Sequence, residues 1–161
     1  THAVQFNSAP WLLGHVEELI AALSVDDPSP TEMTEGIRAG RGVTSLLVTA
    51  EGQRRLDALT ATMTLLEGHA DLVADAAGAV HVPSVRRLRA AFARTAAGTG
   101  WRRLIPGLDK GLQYRDGLAF CQHVGLRAGT GALTAAFAGP ANLPTVAEIT
   151  DPDAWLRRVH G

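Results

Sequence analysis

Cysteine is nearly missing from this chain: Cys121 stands alone among 161 residues, so no internal disulfide can form. That usage fits a reducing compartment, and the expectation is a cytoplasmic protein. No apolar run approaches the ~20 residues a membrane span needs, and the first residues do not read as a signal peptide. An excess of one charge is missing too. The formal net charge of -1 gives no electrostatic reason to expect nucleic acid or an anionic membrane surface as partner. Alternating strand patterns joined by two-residue turns, internal repeats and low-complexity tracts are all lacking. The glycines around Arg38 and Arg41 have no Lys-Ser/Thr after them and no strand before them, so they are not a phosphate loop.

What the chain does have is helical periodicity. At 46% hydrophobic it can bury one core, and a single helical domain over residues 1–161 is the economical expectation. Pro10 interrupts an opening helix, and from Trp11 the positions Leu12, Leu13, Val16, Leu19, Ile20 and Leu23 follow a helical period. A long helix is predicted from about Ala50 to Ala76. Leu56, Leu59, Met63, Leu66, Ala70 and Val73 form its stripe, and Gly78 closes it. Further helices are expected over Val85 to Ala97, which carries four arginines, over Asp109 to Val124, and over the alanine-rich Gly129 to Phe137. Asp151 before Pro152 caps a terminal helix that Trp155 and Val159 can dock on the body. The breaker cluster Asp26-Asp27-Pro28-Ser29-Pro30 opens a stretch to about Gly42 that reads as flexible or as a lid. The fold class is therefore all-α, an irregular helical bundle.

The chemistry begins at Thr1-His2-Ala3-Val4. A zinc-protease helix carries H-E-x-x-H, and its usual wording, His-Glu-x-Thr-His-Ala-Val, ends in those four residues. Histidines at i and i+4 stack on one helix face and can share an ion, and the glutamate between them reaches the metal-bound water. On this reading His2 is the second histidine, while the first histidine and the general-base glutamate lie ahead of Thr1. In one large branch of such enzymes a glutamate on a separate helix is the third ligand, and an aspartate four residues later holds a ligand histidine. Glu67 and Asp71 have that spacing within a largely apolar helix, where a carboxylate is costly unless paired or metal-bound. His69 lies about 200° around the helix from Glu67 and is expected to make a helix–helix contact or face solvent. His15 reads as a partly buried or surface side chain. Either Tyr114 or His123 is a candidate donor to the oxyanion that forms as water attacks.

The chain resembles the C-terminal part of an actinobacterial zincin-like family of zinc metalloproteases or hydrolases. Some members of that family are associated with deazaflavin-coenzyme biosynthesis. The likeness rests on Thr1 to Phe6 with Ala9-Pro10-Trp11-Leu12, on Leu66-Glu67-Gly68-His69-Ala70-Asp71, on Gly107 to Lys110 with Gln113 to Gly117, and on Leu143-Pro144-Thr145 through Trp155-Leu156. It implies zinc as cofactor with His2 and Glu67 as ligands and Asp71 behind them. It also implies a peptide or small amide as substrate, and the preceding part of the same protein as partner. The residues present would then bind zinc incompletely and be inactive alone. Two other classes compete. A non-catalytic helical interaction domain could keep a relic or structural metal site, and Thr1 could be an N-terminal nucleophile, although that chemistry belongs to strand-rich folds.

Overall fold

The computed structural model describes residues 2–22, 31, 35, 38, 50–82, 84, 87 and 110–161, with 110–114 described by their backbone alone. Helix α1 (His2–Ser8) turns at Pro10 into α2 (Trp11–Ala21), then come the long α3 (Ala50–His81) and α4 (Lys110–Ala128). Two 3-10 segments, Thr130–Phe137 and Pro140–Asn142, lead to α5 (Val146–Thr150) and α6 (Pro152–His160). No strand occurs among the described residues, and no helix there is long and apolar enough to cross a membrane. The all-α expectation holds.

Helix α3 is the axis, because it is buried on two sides. Ala61 and Leu65 join a large core with Phe120, Cys121 and Val124 of α4, Leu133, Ala136 and Trp155. Leu66, a third of a turn away, joins a small core with Ala9 and Leu12. The predicted stripe captures part of this: Leu59, Leu66 and Ala70 are buried, whereas Val73 is 42% exposed and Leu65, outside the stripe, is fully covered. Against α4 the helix backbones touch. A methyl at Gly68 would overlap the backbone of Gly117, and one at Gly117 would overlap the Thr64 carbonyl, so only glycine fits at either position.

Two helical expectations need correction. The Gly129–Phe137 stretch is a 3-10 segment, not an α-helix: Gly129 sits at φ +81° and the turns close over three residues, Ala132 N–H donating to Gly129 O at 3.0 Å. Gly78 does not end α3, which runs on to His81. The terminal helix begins as predicted, with Pro152 in its first turn and the Asp151 carboxylate accepting from Ala154 N–H at 3.3 Å. The basic stretch 85–97 lies outside the described residues apart from Arg87. The lid-like stretch 24–42 does too, apart from Thr31, Glu35 and Arg38.

Candidate metal centre

Seven residues are too few to hold a helix by propensity, so α1 must be fixed by what it touches. Its anchor is Gln5, which is 2% exposed. The Gln5 Nε2 amine donates to the Leu66 carbonyl of α3 at 2.9 Å and to Nδ1 of His69 at 3.1 Å. A carbonyl can only accept, so these bonds fix which end of the amide is which. The other end, Oε1, lies 2.8 Å from Nδ1 of His2 and accepts its hydrogen. Every polar atom of this buried side chain is thereby engaged, as burial demands.

One amide thus sets two imidazoles. His2 carries its hydrogen on Nδ1, which leaves the lone pair of the neutral ring on Nε2. His69 must present a bare Nδ1 to Gln5, so its hydrogen is on Nε2. Burial lowers the His69 pKa below the ordinary histidine value and favours the neutral ring that this bond requires. The ring also packs on Phe137, centroids 4.9 Å apart.

The free edge of His2 faces Glu67, with Nε2 3.5 Å from Oε2. That separation is long for a strong hydrogen bond. A tetrahedral zinc with bonds of about 2.0–2.2 Å holds neighbouring donor atoms roughly 3.4 Å apart. The pair therefore fits two corners of a zinc site, one imidazole and one carboxylate, each of the donor type zinc accepts. Glu67 is 20% exposed at its side chain and His2 43%, so the site is walled by protein on one side and reachable from the other. Among the described residues, no three His, Cys, Asp or Glu side chains gather into a group that could hold a metal.

The remaining candidates are distributed as follows. Asp71 lies one helical turn beyond Glu67, half-buried, and has a partner of its own. The group on Nδ1 of His2 is Gln5. His123 is engaged elsewhere, Nε2 3.0 Å from Asp153 of α6, with Arg127 Nε at 3.6 Å from the same oxygen. The hydrogen bond from His123 is the main reason the Asp153 carboxyl is held below its usual range. The Tyr114 side chain lies outside the described residues. His69 makes the helix–helix contact expected of it, and His15 stands half-buried with its ring edge-on to Trp11 at 5.8 Å.

The profile of a family described as zincin-like metallopeptidase matches residues 1–156. The chain belongs to that family. Comparison with curated proteins and with solved structures gives no match. In a zincin-like metallopeptidase the expected cofactor is zinc and the expected chemistry is hydrolysis, and the His2–Glu67 pair has donors of the right kind and spacing. Gln5 was missed from sequence. The available signal was its place one turn after His2, a polar side chain where α1 must bury a face.

Proposed function

We propose that this zincin-like metallopeptidase hydrolyses amide bonds in peptides, with Nε2 of His2 and Oε2 of Glu67 as two of its zinc ligands. The observation that carries the reading is their 3.5 Å separation, together with the Gln5 bond that leaves Nε2 of His2 free to ligate. When bound, zinc supplies Lewis acidity, activating water and polarising the scissile carbonyl. Two protein ligands fall short of the three a catalytic zinc takes, so a further ligand comes from outside the described residues.

The chain's own residues do the holding. Gln5 keeps the His2 ring in one tautomer and one orientation, the part that an outer-shell hydrogen bond plays for ligand histidines generally. Glu67 brings one negative charge to the cation and, being largely covered, keeps competing water from one side of it. Asp71, one turn further on, is left the other histidine of the zinc pair to orient, since Gln5 already holds Nδ1 of His2. Of the two donors expected from sequence, His123 would first have to leave Asp153.

Metal analysis of the protein as its full chain, beside Glu67→Ala, tests this. Stoichiometric zinc and peptidase activity that both vanish in the variant, with helical content unchanged, support the assignment. Unchanged metal content and no hydrolysis in either protein would leave a non-catalytic helical interaction domain.

A further inference from the structure

Beside the His2–Glu67 pair, α1, α3 and the first 3-10 segment enclose a groove of about 450 Å³. Val4, Val73, Phe137 and Ala138 supply its apolar lining, and Gln5, Ser8, His69 and Thr134 its uncharged polar lining. None of its lining side chains is a carboxylate, lysine or arginine. Val4 and Val73 are 69% and 42% exposed, large apolar side chains left open on two different helices that flank one hollow. The volume is within the range of small-ligand sites. Gln5 joins groove and metal pair directly, since the amide that lines the one also holds His2 in the other.

The bond from Gln5 to Nδ1 of His69 puts that ring's hydrogen on Nε2, on a side chain that lines the groove. A half-buried donor of fixed tautomer lining an uncharged, mostly apolar hollow suits one kind of occupant. An apolar side chain fills the hollow while a neighbouring backbone carbonyl accepts the bond. A free amino acid fits poorly, because its two charged ends would find no countercharge.

We propose that this groove takes an apolar side chain of a peptide chain, with Nε2–H of His69 donating to a carbonyl oxygen of the same peptide. The inference deepens the peptidase reading and rests on it for the peptide's fate, but binding in the groove does not require the metal.

The probes are N-acetyl-L-leucinamide and N-acetylglycinamide, titrated into the full-chain protein while the methyl signals of Val4 and Val73 are followed by NMR. The leucine probe should bind at least about tenfold more tightly and shift those methyls. Val73→Asp should weaken it by about tenfold. Val4→Asp, at a still more exposed position, repeats the measurement should the first variant unfold. Equal binding of the two probes, or no shift at either valine, overturns the proposal, as does undiminished binding in the folded variants. The same titration in Glu67→Ala separates the two readings. Leucine-probe binding that survives loss of zinc keeps the groove whatever becomes of the hydrolase assignment, and zinc-dependent hydrolysis indifferent to apolar residues removes the groove alone.

Discussion

The two sides of α3 are built differently. Toward α4 and the C-terminal elements the helix meets a broad core in which Trp155, Phe120 and Leu65 are fully covered. That core is laced at its rim: Arg158 donates to both oxygens of Glu148 at 2.6 and 2.9 Å, and Trp155 Nε1 donates to Asn142 O at 2.8 Å. Toward α1 and α2 the same helix meets only a small cluster, its Leu66 with Ala9 and Leu12, beside the buried Gln5 of α1. The His2–Glu67 pair and the groove lie on this second side. The proposed site thus sits where closure depends on a few specific polar bonds, and bulk burial on the opposite face holds the fold.

Removing the centre of the large core should do most damage. Trp155→Ala takes away a fully buried indole, its edge contact with Phe120 at 5.5 Å and its bond to Asn142, and should cost about 3–5 kcal/mol of global stability in denaturant unfolding. Amide exchange throughout α3 should accelerate with it. A loss confined to α6 would mean that the two cores are not one cooperative unit.

Gly68→Ala comes next. The added methyl meets Gly117 backbone, which cannot rotate away as a side chain would, and the overpacking should cost roughly 3 kcal/mol. Gly68 follows Glu67 directly, so separating α3 from α4 also turns the carboxylate. Zinc affinity should fall together with the melting temperature. If stability falls and affinity does not, Glu67 is held by the α1 side alone.

On the α1 side the contrast reverses. Gln5→Leu conserves size but removes the acceptor from His2 and the donor from His69, so metal affinity should drop about 10- to 100-fold, the usual consequence of losing an outer-shell partner. Global stability should change by only about 1 kcal/mol, since α1 contributes little to the large core. Gln5→Glu restores an acceptor to His2 and should recover part of the affinity, which a purely structural role would not give. Calorimetric zinc titration of both variants decides it.

These differences mark where sequence was readable. Breaks and caps are local chemistry, so Pro10 and the Asp151-Pro152 start were legible, and so was the spacing that put Glu67 and Asp71 one turn apart. The α3 stripe was half legible, because a helix buried on two faces has no single apolar arc: Leu65 and Leu66 are neighbours in sequence and belong to different cores. Thr130–Phe137 was mistaken in type, since alanine propensity favours α-helix while the φ +81° start at Gly129 and the packing of Leu133 and Ala136 select the tighter turn. His69 was rightly turned away from Glu67 on an isolated helix. Its coupling to His2 depends on a second helix laying one amide across both, which no spacing along α3 records.

The smallest effect tests the rim of the large core. Arg158 and the Thr145 groups bond the Glu148 carboxylate and hold its pKa below the ordinary glutamate value, with the Arg158 hydrogen bond the leading cause. A carboxyl depressed by folding contributes stability that is complete above its unfolded pKa and is lost as pH falls through the lower, folded one. Acid should therefore weaken the C-terminal side progressively below the ordinary glutamate range. Glu148→Gln, which keeps one acceptor oxygen, gives up the other to an N–H2 group and carries no charge to lose, should flatten that slope in stability measured against pH. At neutral pH it should cost about 1 kcal/mol, the scale of a charge-assisted bond replaced by a neutral one at a partly exposed partner. Because the Glu148 side chain bonds Thr145 and Arg158, and neither α1 nor α2 among the described residues, the Val4 and Val73 methyl signals should keep their positions over the same acid range in which Trp155 begins to move. Should the valine methyls shift at the same pH as Trp155, the Glu148 bonds would be supporting the α1 face as well as the rim of the large core.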